Sequence, residues 1–163
     1  MKPYQPAGYW AHLNFPKRSW KADAGEALYR RGLYTYWCRT FLHPSLAAFD
    51  APSREECTVE RVRSNTPQQA LVLLNDPTYI EAARILAERI LIEGGKDAKD
   101  RITYAYQHAL HRNPQPKELD LLTKIAAKHL TQYQGDTAAT EALLKIGSKP
   151  ANAKLDKAEL AAW

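Results

Sequence analysis

No stretch of this sequence approaches the roughly 20 consecutive apolar residues that cross a bilayer as a helix, so no membrane span is expected. Cysteine is scarce: Cys38 and Cys57 are the only two. The C-x-x-C-H motif that attaches a c-type haem is absent, and no cofactor is expected in this chain. Structural zinc takes four Cys or His ligands at loop spacing; two cysteines and five scattered histidines do not supply them. His108 and His111 stand three apart on one helix, but no third ligand is visible, so no metal site is expected. A glycine-rich phosphate loop, a G-x-S-x-G elbow and an H-E-x-x-H pair are all missing. Met1 to Trp20 has no apolar signal-peptide core, which taken alone suggests a cytoplasmic chain.

What is there is globular. Hydrophobic residues at 45% and charged residues at 25% can form a packed core, and 163 residues suffice for one domain. The net charge of +5 raises the question of nucleic acid. Acids interleave with the bases, as in Glu81, Arg84, Glu88 and Arg89, and only Lys17-Arg18 and Arg30-Arg31 are adjacent basic pairs. A nucleic-acid footprint clusters on one face, so this partner ranks last.

Residues 1–24 read as an arm broken by Pro3, Pro6, Gly8 and Pro16 and studded with Tyr4, Tyr9, Trp10, Phe15 and Trp20. Docked aromatics would each bury on the order of 150–250 Å²; exposed, they would form a stacking platform. From Gly25 to Leu42, the spacing of Leu33, Tyr36, Trp37, Thr40 and Phe41 predicts a helix ended by Pro44, although Leu33-Tyr34-Thr35-Tyr36-Trp37 would also suit a strand. Phe49 to Ser64 reads as a charged loop, extended from Cys57 to Val62. Thr66, Pro67 and Gln69 form a capping box, and the apolar Ala70–Leu74 run predicts a buried helix. Asp76-Pro77 opens a longer helix, with Ile80, Ala83, Ala87, Ile90 and Leu91 inward and Glu81, Arg84 and Glu88 pairing on the outer face until Gly94-Gly95. Further helices start at Asp97 or Asp100, at Pro116 and at Asp136, the last running to Gly147. Asp156, Glu159 and a Leu155–Leu160 staple signal one more, cut after about two turns.

Three stretches are characteristic: Tyr29-Arg30-Arg31-Gly32-Leu33-Tyr34-Thr35-Tyr36-Trp37, Phe49-Asp50-Ala51-Pro52-Ser53-Arg54-Glu55, and Ser64-Asn65-Thr66-Pro67-Gln68-Gln69-Ala70 through Leu74-Asn75-Asp76-Pro77. Together they resemble the C-terminal domain of unknown function of planctomycete cytochrome c-like multidomain proteins. Lys2-Pro3-Tyr4-Gln5-Pro6-Ala7-Gly8-Tyr9-Trp10 and Leu13-Asn14-Phe15-Pro16 look like its upstream motif, and Leu160-Ala161-Ala162-Trp163 like the start of its last helix. The resemblance implies an exported, extracytoplasmic parent with a haem domain elsewhere, no established activity, and a chain that is a fragment. Cys38 departs from the basic residue expected at its place.

A Cys38–Cys57 disulfide would contribute roughly 3 kcal/mol; two small buried thiols are the alternative. Asp50, Glu55 and Glu56 stand beside Arg54, Arg61 and Arg63, which makes an ion-pair network the expectation over an acid/base pair. The fold expected is all-α, a bundle of five to six helices with an irregular aromatic N-terminal arm. It forms one domain over 1–163: arm 1–24, aromatic and charged core 25–93, C-terminal helices 94–163. The function expected is a non-catalytic scaffold or interaction domain whose partners are other domains of the parent. Its contacts would come from Trp37, Asp50, Arg54, Glu55, Arg61 and Arg63. The alternative is a carbohydrate-binding or polysaccharide-processing module, with Trp10, Trp20 or Trp37 stacking on glycan and Asp50 or Glu55 acting on it.

Overall fold

The computed structural model of the chain describes residues 1–12, 17–38 and 41–163. Phe15, Thr40 and the Leu13–Pro16 motif lie outside the described residues. Among those described, the fold is all-α: seven α-helices, three short 3₁₀ turns and no strand. The helices are α1 Pro44–Ala48, α2 Pro67–Asn75, α3 Pro77–Glu93, α4 Ala98–Leu110, α5 Pro116–Gly135, α6 Thr137–Leu144 and α7 Lys157–Ala162. No helix is long and apolar enough to cross a membrane among the described residues. The chain divides into two compact units, residues 1–80 and 81–163.

In the first unit the arm docks by its aromatics. Trp10 is buried and stacks on Trp20 at 5.3 Å between ring centroids, with Phe41 edge-on at 5.4 Å. Tyr9 meets Phe41 at 4.6 Å, and Trp20 meets Tyr36 at 5.8 Å. The indole N–H of Trp20 donates to the Pro3 carbonyl at 2.9 Å. Such ring pairs add about 0.5–1.5 kcal/mol each beyond their buried area. These contacts explain why the helix expected over Gly25–Leu42 does not form. Two 3₁₀ turns stand there instead, Gly25–Leu28 and Gly32–Tyr34. The Tyr36 N–H donates to the Met1 carbonyl at 2.7 Å, and the Met1 ammonium to the Tyr34 carbonyl at 2.7 Å. Pairing with the N-terminus and turning Tyr36 onto Trp20 replace the i→i−4 ladder.

His43 is the pin of this unit. Its Nδ1 accepts from the Ser45 N–H at 3.2 Å, capping α1, so its Nε2–H donates to the Tyr4 carbonyl at 2.9 Å. Burial pushes its pKa down, against the Tyr4 carbonyl and Asp76, which raise it. The neutral ring is therefore what holds arm to helix.

Helix α2 begins as expected, with a capping box between Thr66 and Gln69 and Pro67 at its first turn. Its expected burial is overturned: Leu71, Leu73 and Leu74 are 57%, 49% and 71% exposed, and only Gln69 and Val72 are half-buried. Apolar content says a helix can be buried; a neighbour must be present to bury it, and here the five-residue α1 packs against α2 without covering its leucines.

The second unit holds its core on Ala87, Leu91, Leu144 and Leu160, with Ala151, Leu155, Ala161 and Trp163 packed against it. Helix α5 is the common neighbour of α4, α6 and α7. Pro116 opens α5 with a Gln115–Glu118 capping box, and Asp136 and Asp156 cap α6 and α7 through the Ala139 and Glu159 N–H groups. Helix α6 stops at Leu144, short of the expected Gly147.

Candidate functional site: a charged clasp and a buried charge network

The loop from Phe49 to Ser64 begins with two residues in the left-handed region, Asp50 at φ 57° and Arg54 at φ 65°. Aspartate tolerates that region; arginine sits there at a cost of about 1 kcal/mol. It is held by stacking, its guanidinium carbon 4.0 Å from the centre of the Trp37 ring. The Trp37 indole N–H is buried without a hydrogen-bond partner among the described residues. The Asp50 carboxylate accepts from the Ser64 hydroxyl at 2.7 and 2.9 Å, the Ser64 N–H at 2.7 Å and the Gln69 amide at 3.4 Å. Those Ser64 bonds, hydroxyl first, lower its pKa and keep it ionised. Among the described residues Arg61 makes no ion pair at contact distance; it donates to the Asp50 carbonyl at 3.1 Å and to the Phe49 carbonyl, and its charge helps hold the Asp50 pKa down.

Four of the six expected residues thus form two linked contacts: Arg54 on Trp37, and Arg61 on the Asp50 turn. Arg63 is exposed on an open pocket of about 430 Å³ beside Asp50, Glu60 and Arg61, and Glu55 is exposed with its N–H on the Ser53 hydroxyl. The segment from Cys57 to Val62 is coil and bends, not extended strand. Cys57 is exposed, whereas Cys38 is buried with the Arg18 guanidinium 3.7 Å from its sulfur, and no disulfide joins them.

Helix α3 buries charge on the face that its spacing marks as outer. Glu81, Arg84 and Glu88, expected on the outer face, turn inward: Glu81 and Arg84 are each 6% exposed, while Ala83 is exposed. The Glu81 carboxylate accepts from the Ser148 N–H at 2.6 Å and the Lys149 N–H at 3.2 Å. Glu88 accepts from the Asn152 N–H at 3.1 Å and from Arg84 at 2.8 Å. Arg84 also donates to the Lys149 carbonyl. A buried charge demands partners, and the backbone of 147–152, which has no helix or strand of its own, provides them.

The sequence matches the family described as protein of unknown function (DUF1553) over residues 1–126. This chain belongs to that family. No curated protein and no solved structure matches it. The DUF1553 match takes in the whole clasp and the α3 half of the charge network, and ends before the loop 147–152. Sequence signals for the network were slight. Spacing of three and four marks a salt-bridged face whether it looks outward or inward, and only Gly147-Ser148-Lys149-Pro150, a loop with many donors, hinted at where those carboxylates are used.

Proposed function

We propose that this DUF1553 chain is a non-catalytic interaction domain of a larger exported protein of the cytochrome c-like, planctomycete kind, carrying no cofactor of its own and covered in part by other domains of that protein. One observation carries the reading. Within the first unit, Val59, Val62, Leu71 and Leu74 are 105%, 70%, 57% and 71% exposed, a concentration of uncovered apolar side chains over residues 59–74. Monomeric proteins seldom leave large contiguous apolar surface uncovered.

The state of the charged cluster supports the same reading. Asp50, Arg54 and Arg61 are engaged in holding their own loop. A polysaccharide-processing role would ask Asp50 or Glu55 for a carboxylate free to act on glycan, and the Asp50 carboxylate is taken up by the Ser64 hydroxyl and N–H and the Gln69 amide. It would also ask Trp10, Trp20 or Trp37 for a stacking face; Trp10 is buried under Trp20 and Phe41, and the Arg54 guanidinium covers the Trp37 ring.

The test compares the chain alone with a longer protein that includes the adjoining domains encoded by the same gene. Amide exchange of α2 should slow in the longer protein. Leu71→Asp with Leu74→Asp should restore fast exchange without unfolding the chain alone, since both side chains are already exposed. Equal exchange of α2 in both proteins would end the interaction-domain reading.

A further inference from the structure

The second unit contains an open groove of about 750 Å³ between α6, the loop 147–153 and α7. Its floor is Leu144, Leu155 and Leu160, and Lys145, Lys149 and Lys157 stand around it with Glu141. Lys157 is bonded to Glu141 at 3.0 Å. Lys145 and Lys149 are exposed and in no ion pair among the described residues. No aromatic ring lines the groove.

From this geometry we infer that the groove binds an acidic polypeptide segment, one apolar side chain seated over Leu144 and Leu160 and flanking carboxylates on Lys145 and Lys149. This rests on the interaction-domain reading and names the chemistry of one partner. Three features argue for it. The groove is preformed: Glu81, Glu88 and Arg84 fix its loop wall from behind through the Ser148, Lys149 and Asn152 N–H groups and the Lys149 carbonyl. Binding therefore meets little ordering cost. Those loop N–H groups are already occupied, so a ligand meets side chains: apolar below, ammonium at the rim. Nucleic acid would find the positive rim but no ring to stack on, and stacking is a main source of its affinity for such grooves. An acidic peptide with a leucine-like anchor uses both the floor and the rim.

The test uses the full chain and three fluorescent probes: a short Glu/Leu peptide, a Lys/Leu peptide of the same pattern, and an oligothymidine. Anisotropy gives affinity, and amide shifts of Gly147, Lys149 and Leu160 give location. Saturable binding of the Glu/Leu peptide alone is expected, with shifts in the groove. Lys145→Glu with Lys149→Glu should weaken it about tenfold. Lys117→Glu with Lys128→Glu on α5, away from the groove, changes the net charge equally and should leave it within about twofold. Near-ultraviolet circular dichroism confirms that both double variants remain folded. Absence of saturable binding, equal loss in both double variants, or oligothymidine binding with the same shifts would each overturn the groove assignment. Slower α2 exchange in the longer protein, together with any of those results, would reject the groove and leave the interaction-domain reading standing. Unchanged α2 exchange is the result that rejects the latter.

Discussion

Gly147 shows how much one residue can decide. Its φ of +101° lies in the region that L side chains rarely adopt, and a Cβ there would come within 2.7 Å of the Glu81 Cβ. Two independent requirements thus meet at one position: a left-handed turn, and room for a buried carboxylate. Gly147→Ala is expected to cost at least about 2 kcal/mol in urea unfolding. Gly135→Ala, where nothing lies within 4 Å, should be neutral or gain about 0.5 kcal/mol. Equal stability of the two variants would show that the loop moves aside freely. Arg84 is decisive in another way. Its side chain is 4% exposed and joins Glu88 to the Lys149 carbonyl. Arg84→Leu leaves a buried carboxylate without its cation and should cost about 3 kcal/mol. Arg89→Ala removes an exposed partner of Glu93, 3.6 Å away, and should leave the urea midpoint unchanged within error. A similar small effect at Arg84 would mean that water replaces the guanidinium.

Among the elements, helix starts behave most predictably, because their chemistry is local. The α5 start combines a capping box with an ion pair. Arg112 grips Glu118 at 2.7 and 2.8 Å, and the Gln115 N–H donates to the same carboxylate at 2.7 Å. Those bonds, Arg112 first, lower the Glu118 pKa to about 2. A depressed carboxylate pKa means that the unfolded chain binds the proton more readily. The stabilisation is therefore complete above the ordinary glutamate range and lost as pH falls from about 4.5 towards 2. Thermal unfolding followed across that window should show a steeper acid loss for the natural chain than for Glu118→Gln. Parallel curves would mean that the contact adds nothing. Helix interiors are less predictable, since they depend on distant neighbours. Helix α2 has the apolar content of a buried helix and is exposed; α3 has the charge pattern of an exposed face and buries part of it.

For the molecule as a whole, the burial is uneven. Residues 1–80 contribute Trp10, Cys38, Gln5 and His43 to the buried set, while α3, α4, α6 and α7 contribute Ala87, Ile90, Leu91, Ile102, Leu144 and Leu160. Amide exchange follows local opening free energy, so α3 from Ala87 onward, α6 and α7 should exchange slowest and α2 fastest among the helices. Uniformly slow exchange would contradict the exposed α2 surface on which the interaction role rests.

By itself the sequence determined the all-α class, the proline-marked starts of α2, α3 and α5, the Asp136 and Asp156 caps, and the apolar stripe of α3 from Ala87 to Leu91. Each follows from residues within a turn or two of one another, where propensity and capping act. Only the tertiary structure decided that Gly25–Leu42 gives up its helix to pair with Met1 and Trp20, that the α2 leucines face water, and that Glu81, Arg84 and Glu88 turn inward to hold 147–152. Those outcomes depend on partners tens of residues away. Periodicity records that a face is apolar or charged, whereas the identity of what it meets is set by packing and by where buried backbone donors and acceptors find their partners.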